Sequence, residues 1–250
     1  MQPVPSPALP PLERLLELMA ALRAPGGCPW DREQDHRSLR WHAVEEVYEL
    51  LDAIESGDDA ELSEELGDLL LQVVFHAQLA RERRAFDFDA VCRTLVEKLI
   101  RRHPHVFGDS AARSTEQVWT QWETIKRAEK AGSRHERASA LDGIPRRLPA
   151  LMRAQKLLKK AERAGLRTPS TARPPKSSRA QIAAALFQLA ATCQDRGWSA
   201  EELLRTETRR HERQLRQAER RTAARPASKT RPASRSRMAS SPAAKPLRSR

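Results

Sequence analysis

Aromatic residues make up only 4% of this 250-residue sequence: five Trp, five Phe and one Tyr. Nowhere do β-branched and polar residues alternate over a run, so no segment reads as a strand. Leu and Ala dominate instead, and both favour helices. The expected fold class is therefore all-α, a helical bundle. No stretch reaches the roughly 18 uninterrupted apolar residues that a membrane helix needs, so no membrane partner is expected. The Pro-rich start M-Q-P-V-P-S-P-A-L-P-P lacks a basic segment followed by an apolar core, and does not read as a secretory signal. Cysteine is scarce too. Cys28, Cys92 and Cys193 are odd in number, scattered and without ligand spacing, which reads as free thiols in a reducing cytoplasm.

The net charge of +12 is concentrated at one end. Residues 221–250 hold nine Lys and Arg and no acid, so taking nine from +12 leaves an ordinary +3 for the rest. That tail is rich in Ala, Ser, Pro and Arg and cannot bury enough apolar surface to fold. It could touch nucleic acid weakly and without sequence preference through phosphate charge.

Turn and capping signals divide the remainder. Residues 1–11 are expected to lack fixed structure. A first domain is expected over 12–131, with helices at 12–23, about 39–55, about 59–84 and about 88–102, and a structured loop C-P-W-D-R-E-Q-D-H-R-S over 28–38. Trp30 and Asp31 are expected to shape that loop. The fourth helix starts at the cap Asp87 and stops at His103-Pro104-His105. Ser114-Thr115-Glu116-Gln117 has the form of a capping box opening a fifth helix, on which Trp119 is expected to pack in the core. A linker over 132–147 leads to a second helical domain over 148–220. Its helices are expected at 149–164, about 180–195 and about 199–220, interrupted by a Pro/Ser/Arg-rich gap at 167–178. The string A-L-F-Q-L-A-A-T-C-Q (185–194) resembles L-L-L-Q-V-V-F-H-A-Q (69–78), a faint internal repeat.

Chemistry is concentrated around one turn. Glu46 and Glu49 are spaced i, i+3 on one helix, and Glu65 and Asp68 are spaced i, i+3 on the next, so each pair shares a helix face. Ser56-Gly57-Asp58 is the turn signal between them. If the chain doubles back at Gly57, Glu46 and Asp68 are equidistant from the turn, and so are Glu49 and Glu65. All four carboxylates then meet at one level of the hairpin. A single E-x-x-E is most often a solvated face, but here Val47, Leu50, Leu66 and Leu69 crowd beside the acids. Four clustered anions raise one another's pKa, and a hard divalent cation, magnesium or manganese, relieves that strain. Glu45 and Glu64 point partly away, placed to support the ligands or to take a proton from water.

The runs C-P-W-D-R-E-Q, V-E-E-V-Y-E-L-L-D-A-I, E-E-L-G-D-L-L-L-Q-V-V-F-H-A-Q, F-D-F, E-K-L-I-R-R-H-P-H-V-F-G-D and W-E-T-I-K closely resemble the MazG family, densely over about 12–130 and weakly over 140–220. The resemblance implies an all-α nucleoside triphosphate pyrophosphohydrolase, with the 12–131 segment as its domain. It implies magnesium-dependent hydrolysis of NTP or dNTP to monophosphate and pyrophosphate, and assembly as a homodimer. The family's acidic signature falls on Glu46, Glu49, Glu65 and Asp68. Its nucleotide-contacting positions fall on Lys98, Arg101, Arg102 and Trp122, with Lys126 nearby. Lys98, Arg101 and Arg102 can share one helix face and grip phosphates; a solvated basic helix end would look the same in sequence. The second half departs from the pattern of two-domain members, because Gln181 and Ala184 stand where Glu65 and Asp68 would repeat. It reads as a degenerate copy. The alternative function is a regulatory protein that binds nucleotide and metal with little turnover.

Overall fold

The computed structural model describes residues 2–133, 136–166 and 177–224. Among them every regular element is a helix, so the chain is all-α. The chain divides into two compact units, one up to Glu129 and one from Lys130.

The first unit comprises α1 (Pro11–Arg23), α2 (Pro29–Glu33), α3 (His42–Ser56), α4 (Asp59–Glu82), α5 (Phe88–Arg102), α6 (Pro104–Phe107) and α7 (Thr115–Ala128). The antiparallel pair α3–α4 is its main packing element. Gly57 ends α3 in the left-handed region, φ 74°, where a side chain would be strained. Asp58 then caps α4 by accepting from the amides of Ala60 and Glu61, a contact worth about 1 kcal/mol. The core joins Met19, Leu39, Val74, Phe75 and Leu79, with Leu15, Leu16, Leu71 and Phe88 against it.

Three local differences from the sequence reading have simple causes. The 28–38 loop contains the short α2, because Pro29 and Trp30 open a helical turn that does not need the proline's missing N–H. The stop at His103 is observed, yet Pro104 immediately starts α6 for the same reason. Residues 2–10 carry no helix, as expected, but they are not loose: Pro5 is buried, and Gln2 Nε2 donates to the Pro25 carbonyl at 2.8 Å.

Arg23 fixes the 28–38 loop. Its guanidinium grips Glu82 through two contacts of 2.7 and 2.8 Å and also donates to the Asp31 carbonyl. One mostly buried cation thus ties the end of α1, the loop and the end of α4 together, and it holds the Glu82 carboxyl below its ordinary pKa. The Trp30 ring packs edge-on against His42 and Phe75.

Many apolar side chains of this unit remain exposed: Val44, Val47, Leu51 and Ile54 on α3, Leu66, Leu70 and Val73 on α4, and Leu95, Val96 and Leu99 on α5. The apolar stripe beside the acids is therefore not covered by the chain's own packing. Trp119, expected in the core, is 43% exposed. It lies against Trp122 rather than under it.

The second unit contains α8 (Ala150–Arg163), α9 (Arg179–Asp195) and α10 (Ala200–Ala224). Leu141, Leu157 and Ala161 form its core, with Ile144, Leu166 and Leu215 beside them. Arg153 and Arg216 both hold Glu212, and Arg216 also holds Asp142. The last helix runs to Ala224, four residues into what composition assigns to the tail. The basic tail from 225 and the gap at 167–176 lie outside the described residues.

Candidate functional site

The α3–α4 hairpin brings its acids together. Glu46, Glu49 and Glu65 each offer an oxygen, and these oxygens all lie within 4.8 Å of one another. Asp68 is not in that tightest set, but its charge acts on both Glu46 and Glu65. Burial pushes the Glu46 carboxyl above its ordinary pKa, with Asp68 and then Glu49 adding to the rise. Glu65 is raised in the same way, by desolvation first and then by Glu49, Asp68, Glu64 and Glu61. The charge each acid feels most strongly comes from its opposite number across the turn, Asp68 for Glu46 and Glu49 for Glu65. Glu65 Oε2 is buried without a hydrogen-bond partner. A buried acceptor left bare costs roughly 1–3 kcal/mol, and a divalent cation would satisfy it. An all-oxygen donor set with raised pKa values fits magnesium or manganese. Glu45 is not drawn into the cluster. It is exposed, with Oε2 3.7 Å from His42 Nδ1.

The basic set is engaged elsewhere. Arg101 and Arg102, at the end of α5, both donate to Glu129, the residue that ends α7. Arg102 holds both oxygens, with Nη2 2.6 Å from Oε2. Arg102 and then Arg101 bring the Glu129 pKa down to about 2, against a burial that alone would raise it. Lys98 is half-buried on α5 and has no ion-pair partner among the described residues. Lys126 pairs with Glu123 at 3.3 Å and lies over the Trp122 ring at 5.0 Å. Trp122 itself is half-buried, edge-on to His103 and Trp119, and its Nε1 is buried without a partner. One ring face is thus already covered by Lys126, and stacking a base on that face would require rearrangement.

Two residues escaped the sequence reading. Gln72 lies within hydrogen-bond reach of Glu46 from the middle of an apolar run. The lone polar residue in L-L-L-Q-V-V-F was the available signal. Glu129 pairs with both Arg101 and Arg102 from 28 and 27 residues away, and no local pattern announces that pairing.

Comparison with known proteins places these features. A family profile, the MazG nucleotide pyrophosphohydrolase domain, matches residues 34–107. That span contains all four hairpin acids, Lys98, Arg101 and Arg102, but not Trp122, Lys126 or Glu129. A nucleoside triphosphate pyrophosphohydrolase of Escherichia coli (strain K12) is 51% identical over 155 residues, 62% of this chain and 58% of that protein. The nucleoside triphosphate pyrophosphohydrolase/pyrophosphatase MazG of Thermotoga maritima is 50% identical over 153 residues, 61% of this chain and 57% of that protein. The chain therefore matches a little over half the length of these relatives. A crystal structure of a mazG-related protein from Thermotoga maritima is 30% identical, covers 46% of this chain and 97% of that one, and superposes with a TM-score of 0.39.

Proposed function

Because the chain belongs to the MazG family, we propose that it hydrolyses nucleoside triphosphates, NTP and dNTP, to monophosphate and pyrophosphate with magnesium, or manganese in its place. The observation that carries this reading is the convergence of Glu46, Glu49 and Glu65 within 4.8 Å, on a hairpin inside the matched domain. Glu46, Glu49, Glu65 and Asp68 would hold the cation. When bound, the cation offsets triphosphate charge in the transition state. The carboxylates fix its position from two rigid helices, so little reorganisation is needed on substrate binding. Lys98, which has no ion-pair partner among the described residues, would take a phosphate oxygen. Arg101 and Arg102 join it once Glu129 lets go, since phosphate accepts bidentate bonds from guanidinium as carboxylate does, and a triphosphate brings more negative charge than the one carboxylate they share. Glu45 or a neighbouring acid supplies a base for the attacking water.

The exposed apolar side chains on α3, α4 and α5 support assembly as a homodimer, which would cover them. The three unpaired cysteines are consistent with a cytoplasmic housekeeping role on the nucleotide pool. No helix among the described residues is long and apolar enough to cross a membrane. Any nucleic-acid contact would come from the tail beyond 224.

The test is incubation of the purified protein with a panel of NTPs and dNTPs at saturating magnesium, scoring monophosphate and pyrophosphate. Both products are expected in equal amounts, and neither without divalent metal. The occupation of Arg101 and Arg102 by Glu129 favours one competitor, a nucleotide-binding regulator with little turnover. Tight nucleotide binding without product would decide for it.

A further inference from the structure

Gln72 is a buried polar residue of the first unit, at 7% exposure. It lies one helical turn before His76 on α4, in a stretch where Leu71, Val74 and Phe75 build the core. An apolar side chain of the same size would fill that place without cost. The amide instead leaves Oε1 buried and unpartnered, a penalty of roughly 1–3 kcal/mol. What it gains is one contact: Nε2 donates to Glu46 Oε1 at 3.2 Å. The orientation of the amide follows from that neighbour, since a carboxylate only accepts when ionised.

We propose that Gln72 is a positioning residue for the metal-binding carboxylates, which holds the Glu46 carboxyl group turned toward Glu49 and Glu65. The inference rests on the four-carboxylate reading above. Gln72 is the amide that reaches Glu46, whereas two acids, Asp68 and Glu49, crowd it. Without the amide the Glu46 carboxyl is free to rotate, and that removes a ligand oxygen from the set. A hydrogen bond from behind is the usual way a ligating carboxylate is held, and its loss typically weakens metal affinity 10- to 100-fold.

The test is Gln72→Met, which keeps length and removes both polar atoms. Manganese binding without nucleotide, measured by calorimetry or electron paramagnetic resonance, should weaken by about 10- to 100-fold. The melting temperature of the metal-free protein should hold or rise, because an orphaned buried acceptor has gone. A merely structural amide predicts the reverse pattern: a lower melting temperature with unchanged manganese affinity, and that result overturns the proposal. Glu46→Ala is run alongside. If Glu46→Ala weakens manganese binding and Gln72→Met does not, Gln72 has no such role. If neither weakens it, the carboxylate site itself is wrong and the proposal falls with it. A second measurement needs no substitution. Magnesium titration of the parent protein should move the Gln72 side-chain amide signal in nitrogen-15 NMR with the midpoint of metal binding. A signal that stays still overturns the proposal even if Gln72→Met fails to fold.

Discussion

α4 and α9 carry similar sequences and end in different circumstances. In α4 the string over 69–78 buries Gln72, Val74, Phe75 and Ala77. In α9 the corresponding string over 185–194 has no fully buried residue, and Phe187 is 73% exposed. Gln72 meets Glu46 across a hairpin. Gln188, its counterpart, is exposed, and its backbone carbonyl accepts from the Thr192 hydroxyl one turn on. The starting points differ too. Glu65 lies well inside α4, which begins at Asp59, whereas Gln181 is the third residue of α9. There it completes a capping box with Ser178, accepting from the Ser178 amide at 2.8 Å. Gln181 is thus a helix-start residue, and the S-x-x-Q signature that announces it was present in the sequence. The lesson is that a helical string becomes a site through the partner helix it faces. α4 has α3, whereas α9 packs against α10.

The sharpest way to break this contrast is to remove acids from α3–α4. Glu49→Ala or Asp68→Ala should abolish metal-dependent hydrolysis while leaving the helical circular dichroism intact, since deleting one of several repelling anions does not harm packing. Retention of activity within about twofold of the parent would sink the four-carboxylate site. Conversely, Gln181→Glu with Ala184→Asp should add no manganese site to the second unit, as residues 167–178 supply no facing acid.

A smaller effect is expected at the end of α5. Arg101→Ala and Arg102→Ala should each lower kcat/KM by about 10- to 150-fold for all bases alike, as a lost charge-assisted phosphate contact is worth roughly 1.5–3 kcal/mol. Glu129→Gln discriminates further. If Glu129 competes with phosphate for the arginines, this variant should lower KM. If the trio only joins α5 to α7, KM should not move and the melting temperature should fall. That fall should vanish in acid. A carboxyl whose folded pKa is about 2 lends stability that is full above its ordinary 4.5 and lost as pH drops toward 2.

The pH dependence of the metal-free hairpin runs the other way. Glu46 and Glu65 are raised above 4.5 when folded. Each then favours folding below 4.5, and that contribution is lost as pH rises through the folded value. With chelator present, Glu65→Gln should gain on the parent in melting temperature as pH rises above 4.5. Magnesium should remove the difference by stabilising the parent alone. Parallel curves for the two proteins across that range would contradict the raised pKa. The smallest effect belongs to the counterpart glutamine. Gln188→Met should change stability by less than about 0.5 kcal/mol, the range for exposed positions, and leave metal binding untouched. Thermal unfolding of that variant beside Gln72→Met measures the two copies directly.

The sequence by itself determined the long helices, the turn at Gly57 and the approach of Glu46 and Glu49 to Glu65, because each depends on local rules: helical spacing and a left-handed glycine. The caps at Asp87 and Ser114 were legible for the same reason. Only the tertiary structure decided which apolar faces stay bare, that Arg101 and Arg102 are held by Glu129, and that Trp122 lies against His103 and Trp119. Those outcomes depend on residues brought close from distant parts of the chain. Spacing along one helix cannot report what arrives from another, and that is why Gln72 showed itself only as a polar residue out of place until Glu46 was seen beside it.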